Sequence, residues 1–283
     1  MIKYRILNFH KMLLIFLLSF SSLLADSTLF KSGFYTSIAG GVGYYYYSEV
    51  NYLNKPVMKM DMALLNLALN LGYAKSGGKI DLEINANVAW GKYTGGVLDT
   101  SDSTQNGKKL TSIDTNSFYS AELKGGFDIL SLAIESATLY LQSGIGYYFN
   151  RNDFMTFERL QGYLYVPLQL ESEIHLNSDW ALNLMAGYNF FILGNHLSKV
   201  SKQHFSGDLN VTQKGGSGAS AFIGAIYKTS SGNINSFRLE YNFWSIDASP
   251  STGDITDYAG NLTRLYEPKN TTHIITLKYV WRF

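Results

Sequence analysis

The chain contains one pair of side chains with the spacing of a nucleophilic hydrolase, His196-x-Ser198. A histidine near a serine can take up the hydroxyl proton and activate the oxygen for acyl transfer. If the strand predicted around Phe190 continued without a break, His196 and Ser198 would both lie on its outward face. However, Gly194-Asn195 is typical of a turn, and a histidine in a loop is the alternative interpretation.

Charged side chains that alternate with apolar residues form a second candidate set. Alternation of this kind places them together on one face of a strand. A buried charge is costly unless it is paired, so we expect an ionic layer if this face lines an interior. The layer would either fill and rigidify that interior or act as the gate of a narrow pore. The set is Asp81, Glu83, Glu122, Lys124, Asp128, Glu171, Glu173, Arg238, Glu240, Lys278 and Arg282.

Other chemistry finds little support in the composition. The chain has no cysteine, which excludes disulfides and cysteine-ligated metals. We find no phosphate-binding loop and no zinc-helix motif, and we expect neither a metal nor another cofactor. The net charge of +1, from 23 basic and 22 acidic residues, argues against a nucleic-acid partner.

The elements that position these residues have a period of two, which predicts an all-β fold. The stretch Ile80–Trp90 shows it best, with Asp81 and Glu83 between apolar neighbours. The ten predicted strands lie near residues 34–47, 63–73, 80–90, 117–129, 137–149, 163–176, 180–190, 219–227, 237–243 and 274–283.

The connections between these strands alternate between short and long. Short turns on one side and long loops on the other are the connectivity of a transmembrane β-barrel. We therefore predict a single antiparallel up-and-down barrel of ten strands, or of eight or twelve if the ambiguous stretch 219–227 pairs differently. The charged parity would face the lower lumen. The outer lumen would be lined by Asn66, Asn85, Asn87, Ser120, Asn189 and Asn242.

The last ten residues, IITLKYVWRF, alternate strictly between an apolar and a polar face. Leu277, Tyr279, Trp281 and the terminal Phe283 share the apolar face. This pattern resembles the C-terminal signature of bacterial outer-membrane β-barrels. The resemblance implies that these four residues are an assembly signal, recognised by the barrel assembly machinery. Separately, the Asn- and Tyr-rich, Cys-free composition of the chain loosely resembles that of epsilonproteobacterial outer-membrane proteins.

The N-terminus predicts export. Basic residues precede an apolar run at 12–20, and a small residue follows at Ala25. The run is shorter than the roughly 20 residues of a spanning helix, so residues 1–25 are predicted to be a signal peptide. Residues 26–283 would then form the barrel, integral to the outer membrane, with five long outer loops.

These patterns favour a structural or adhesive barrel, or a narrow gated pore. Omptin proteases are similar in size and strand number, but their paired acidic motifs find no match. The alternative function is a lipid-acyl hydrolase of the lipid A deacylase or phospholipase type, using His196 and Ser198. The expected partners are outer-membrane lipids, lipopolysaccharide, the assembly machinery and a host or surface ligand at the loops. We expect a monomer.

Overall fold

The computed structural model describes residues 33–98, 101–102, 104–130, 136–153, 157–230 and 233–283. The predicted signal peptide lies outside the described residues. Ten long strands form the main sheet, as the sequence predicts, and three short strands decorate its loops. The long strands are β1 (Gly33–Val50), β2 (Pro56–Lys75), β3 (Gly78–Gly96), β4 (Lys109–Asp128), β5 (Ala137–Asp153), β6 (Glu158–His175), β7 (Trp180–Ser198), β9 (Gly216–Lys228), β10 (Ile234–Ile246) and β13 (Lys269–Arg282). The short strands are β8 (Leu209–Gln213), β11 (Ile255–Thr256) and β12 (Leu262–Thr263).

The sheet closes on itself through antiparallel neighbours. β1 pairs with both β2 and β13, for example Val42 with Leu65 and with Leu277. β6 pairs with β7, and β7 pairs in turn with β9. The prediction of a single closed barrel is confirmed. Among the described residues, each of the ten long strands pairs with a neighbour on both sides, which is the condition for a sheet to span lipid.

The outer face carries an apolar band bounded by polar residues. On β2 the outward side chains are apolar from Ala63 to Tyr73, whereas Asp61 and Lys59 follow beyond them. Eleven residues of a tilted strand rise about 28 Å, close to the apolar height of about 25 Å in outer-membrane barrels. Ring pairs mark the short-turn end of the band: Phe34–Tyr73, Trp180–Tyr227 and Phe237–Tyr279, with centroids 4.8, 4.8 and 4.9 Å apart.

Among the described residues, no helix is long and apolar enough to span a membrane.

The strands extend well beyond the predicted bounds at one end. β2 and β4 each have 20 residues, which gives a wall about 50 Å high. The connections at the other end lie at 76–77, 129–136, 176–179 and 229–233. The outer connections are L1 (51–55), L2 (97–108), L3 (154–157), L4 (199–215) and L5 (247–268). Much of what the sequence predicts as loops L1, L3 and L4 is therefore strand.

Two irregularities interrupt the ladder around β6. Pairing between β5 and β6 stops at Ser143–Leu168 and resumes at Gly146–Tyr165, beside Pro167, which has no N–H to donate. Between β6 and β7, Leu164 pairs with Leu193 and Tyr165 pairs with Phe191. Ile192 is thus an extra residue in β7, a β-bulge that inverts the inward and outward parity of the strand beyond it.

Candidate functional site

The lower lumen is a polar cavity of about 200 Å³, here called the vestibule. Ten of the eleven predicted charged residues line it, all except Asp128. Asp128 instead accepts backbone N–H bonds from Leu130 and Leu139 at 3.0 and 2.9 Å, at the base of β4. The amides predicted for the outer lumen line the upper part of the same cavity. The vestibule lies at the short-turn end of the barrel, the end that the connectivity of such barrels predicts to face the periplasm.

Three lysines of the vestibule are each held by two oxygen acceptors. Lys124 lies 2.9 Å from Glu122 and 3.2 Å from Glu83. Lys278 contacts Glu240 at 2.5 Å and donates to Asn85 at 3.0 Å. Lys124–Glu83 and Lys278–Glu240 join neighbouring strands, whereas Lys124–Glu122 lies within β4 and Lys278–Asn85 reaches from β13 to β3. These contacts compensate the burial of the charges.

The third lysine, Lys79, was not among the predicted residues. It lies 2.7 Å from Glu171 and 3.2 Å from Asp81, and it therefore links β3 to the distant strand β6. Lys79 lies two residues after the turn at Ser76-Gly77, where both residues have positive φ. A lysine at that position is easily taken for a turn residue, although it shares the parity of Asp81.

Above the vestibule the lumen is filled by apolar side chains, here called the septum. Eight of the ten barrel strands contribute buried side chains to the septum. β7 contributes the half-buried Phe191, so nine strands take part. Each of the buried residues that define the septum is at most 8% exposed. The members are Tyr45, Tyr47, Met58, Met60, Met62, Leu64, Ala89, Tyr93, Phe118, Tyr148, Tyr163, Tyr165, Trp244, Ile246 and Ile274.

The remaining barrel strand, β9, adds no side chain to the septum and instead leaves room for its rings. A Cβ at Gly218 would lie 2.7 Å from the ring of Trp244, which is too close for any side chain. Trp244 therefore lies over β9 and reaches Tyr163 and Tyr165, with ring centroids 5.6 and 4.9 Å away. Tyr148 stacks on Tyr163 at 5.4 Å. The rings thus pack across the barrel interior at native aromatic spacings.

A buried polar cluster lies at the outer end of the barrel, beyond the septum. We call it the mouth cluster: Glu49, Arg159, Gln161, His196, Ser198 and Glu267. Arg159 donates to Glu49 at 2.5 Å and to Glu267 at 2.7 Å. Glu267 also accepts from Gln161 at 2.8 Å and contacts His196 at 2.9 Å. Glu267 belongs to L5, so the cluster fastens this loop to the barrel wall.

The charges of the mouth cluster lie beyond the apolar band, since Glu49 pairs with Met58 on the far side of Asp61. Burial raises the pKa of Glu49 above its ordinary value. Burial acts in the same direction on Glu267, but Arg159 and His196 outweigh it and hold the pKa of Glu267 below its ordinary value. Burial lowers the pKa of His196, which is therefore neutral at pH 7.

The predicted outward position of His196 and Ser198 is wrong. The bulge at Ile192 inverts the parity of β7, and both side chains point inward and are 1% and 3% exposed. Nε2 of His196 lies 2.7 Å from Ser198 Oγ and also faces Glu267, while Nδ1 is buried without a partner. A catalytic triad instead uses both ring nitrogens, one toward the serine and one toward the acid. No lipid substrate could reach this pair.

The outer loops pack together over the mouth cluster and form a folded cap. Its apolar centre joins L4 with L5 through Val200, Phe205, Leu209 and Ile255. Leu98 of L2, Phe157 of L3, Val211 and Leu265 pack against this centre. Ser206 N donates to Thr256 O at 2.9 Å, and Thr256 N donates to Ser206 Oγ at 2.8 Å. Four separate loops are therefore organised as one surface.

The four residues of the predicted assembly signal all lie on the outer face of the barrel. Leu277, Trp281 and Phe283 are more than half exposed, and Tyr279 is half-buried. Phe283 closes the barrel, since its N–H donates to Thr36 O at 2.9 Å. No cluster of three or more metal-ligating side chains occurs within the described parts of the chain.

Comparison with known proteins supports the architecture. A solved structure of the outer membrane protease OmpT from Escherichia coli superposes with a TM-score of 0.58 at 12% identity, covering 91% of this chain and all of OmpT. The chain has the fold of a bacterial outer-membrane β-barrel. OprG of Pseudomonas aeruginosa, at 10% identity, covers 89% of this chain and 97% of its own, with a TM-score of 0.38. No protein-family model and no curated protein sequence matches the chain.

Proposed function

We propose that this protein is a non-conducting outer-membrane barrel whose adhesive or structural role is carried by its folded outer cap. The septum carries the proposal, because it fills the lumen with side chains from nine strands. The ionic layer lies below this septum and is not the narrowest part of the lumen. Its paired lysines are therefore assigned to rigidifying the wall around the vestibule rather than to gating.

The energetics disfavour a septum that opens by rearrangement. Exposing only four large apolar side chains would cost about 6–12 kcal/mol, at roughly 1.5–3 kcal/mol each. That is comparable to the whole stability of a typical domain, about 5–15 kcal/mol. A pore open for an appreciable fraction of the time would need a far smaller cost.

The cap supplies the surface for a ligand. Its packed centre and hydrogen bonds hold the loops in place, which lowers the entropy lost on binding. L1 adjoins the cap through Tyr52, whose ring centroid lies 6.3 Å from that of Tyr266 in L5. Exposed apolar side chains project from this surface: Tyr52 and Leu53 in L1, and Tyr258 and Leu262 in L5, with Tyr52 78% and Tyr258 65% exposed. The ligand class we propose is a host or cell-surface molecule, with lipopolysaccharide and membrane lipids around the wall.

The hydrolase alternative loses its geometric basis with the inward turn of His196 and Ser198. The protease activity of OmpT is not transferred to this chain, because at 12% identity the likeness concerns the fold alone.

Planar-bilayer recording tests the sealed lumen. The wild type should show no steady conductance, whereas Tyr163→Ala combined with Trp244→Ala should produce a steady current by opening the septum. Trp90→Ala is the matched control, because Trp90 is an aromatic residue on the outer face. Frequent wild-type openings would contradict the proposal.

The cap is tested separately by cell aggregation. Serine at Tyr52, Leu53, Tyr258 and Leu262 should reduce the aggregation and surface adhesion of cells that display the barrel. Serine at Trp90, on the lipid face, should leave both unchanged when the protein is present at the same level. Equal adhesion of the two variants would argue against a role for the cap.

A further inference from the structure

Two charges on the vestibule floor remain without an ionic partner. Five cations and six acids line the cavity; three lysines account for five of the acids, and the guanidinium of Arg282 lies over the ring of Tyr35, 4.0 Å from its centroid. Within the described part of the chain, neither Arg238 nor the carboxylate of Glu173 makes a hydrogen bond or an ion pair. The guanidinium of Arg238 lies over the ring of Phe222, 4.6 Å from its centroid, and its Nε is buried without an acceptor.

The sheet register places the two charges in one row across the wall. Glu173 pairs with Asn183, Asn183 pairs with Gly224, and Gly224 pairs with Arg238. Gly224 lets the side chain of Arg238 lie across β9 toward the side of Glu173, because a Cβ there would lie 2.8 Å from Cγ of Arg238. The two charged groups thus border one space on the cavity floor, with no bulky side chain from β9 between them.

We propose that the vestibule floor binds a small zwitterion of the α-amino-acid class, with its carboxylate on Arg238 and its ammonium group on Glu173. A guanidinium accepts a carboxylate through two parallel hydrogen bonds, and a carboxylate accepts an ammonium group. A cavity of about 200 Å³ has room for a molecule of this size together with water. Glu173 and Arg238 both keep part of their surface exposed, so solvent reaches them.

The charge inventory favours a zwitterion over a simple anion or cation. An anion alone would satisfy Arg238 and leave Glu173 without a partner, and a cation would do the reverse. A buried charge without a partner is costly, so a ligand that carries both charges gains more binding free energy than a ligand that carries only one of them. The apolar side chains of Ile226 and Ile234, which also line the floor, suit a short aliphatic substituent.

The test uses the full-length barrel, folded in detergent micelles at low salt. Equilibrium dialysis with labelled L-alanine should show saturable binding, and propionate or ethylammonium should compete at least tenfold more weakly. Arg238→Gln and Glu173→Gln should each weaken binding about tenfold or more, as expected for loss of one charge-assisted contact. Arg264→Gln is the control, because Arg264 is an exposed arginine of L5.

Folding is checked for each variant by the heat-modifiable band in gel electrophoresis. Arg238→Lys keeps the charge and replaces Arg238→Gln if that variant does not fold; it should bind more weakly than the wild type because the bidentate fork is lost. The proposal is overturned if L-alanine does not bind saturably, if propionate competes equally well, or if the variants bind as the wild type does.

Discussion

Glu267→Ala removes the residue that fastens L5 to the barrel mouth. The Glu267 carboxylate contacts Arg159, Gln161 and His196 at 2.7, 2.8 and 2.9 Å. Its backbone is also held, since Glu267 N donates to Ser249 Oγ at 2.8 Å. The substitution leaves that backbone bond in place and removes only the carboxylate, so its effect should be local to L5.

The expected loss of stability in Glu267→Ala depends on the contacts that its partners Arg159 and His196 retain. Hydrogen bonds with a charged group contribute about 1.5–3 kcal/mol each, but Arg159 retains Glu49 and His196 retains Ser198. The loss is therefore closer to the roughly 3–5 kcal/mol that accompanies removal of one partner of a buried ion pair. Since about 1.4 kcal/mol is a factor of ten, L5 should open roughly 100-fold more often or more.

Trypsin treatment of intact cells measures that opening. Cleavage after Arg264 requires L5 to release its backbone bonds, among them Thr252 N donating to Leu265 O at 2.7 Å. Glu267→Ala should be cleaved much faster than the wild type, while the strands stay intact as judged by the heat-modifiable band. Asp254→Ala, an exposed carboxylate of the same loop, is the control. Equal cleavage rates for Glu267→Ala and Asp254→Ala would refute the clamp.

Three further predictions concern pH, assembly and topology. Because burial lowers the pKa of His196, the unfolded chain takes up a proton that the folded one does not, and stability should fall as pH drops below about 6.5. His196→Gln should flatten this loss between pH 7.5 and 5.5 in thermal unfolding. Glu49→Gln should steepen the loss of stability as pH falls toward 4.5, the ordinary Glu value, since the raised pKa of Glu49 acts in the opposite sense to the lowered pKa of His196. Deleting Phe283 should deplete the folded band in outer-membrane fractions; normal assembly would refute the terminal signal. A tag after Gly260 should bind antibody on intact cells, whereas one after Ser231, outside the described residues, should not.

The sequence predicts the fold well wherever one face of a strand meets lipid. From Ile80 to Trp90 the outward residues are apolar and the inward residues, except Ala89, are polar, a contrast with a clear period of two. The strand number and the closed barrel follow from that contrast. The same parity identifies the charged residues of the vestibule, because lipid excludes them from the other face.

Beyond the apolar band the two faces of a strand exchange character, so that the inward residues are apolar and the outward residues are polar. For this reason the sequence does not predict the septum. On β2 the inward residues Met58, Met60 and Met62 are buried and apolar, while the outward Lys59 and Asp61 face water. Water now surrounds the wall and the interior is dry, so the apolar face is the inner one. If polar residues are assigned to the lumen along the whole strand, this segment is predicted to be a loop. The septum is then not predicted.

The mouth cluster shows a second limit, set by one inserted residue. A period of two continues on both sides of Ile192, and the sequence alone does not fix where an extra residue enters the strand. Pairing with β6 does fix it, because Leu164 and Tyr165 face Leu193 and Phe191. The bulge turns His196 from the lipid side into the mouth, where it meets a carboxylate contributed by L5. A pair of residues that suggested acyl transfer is thereby used to hold a surface loop, and the chemistry available to it is decided by register rather than by residue type.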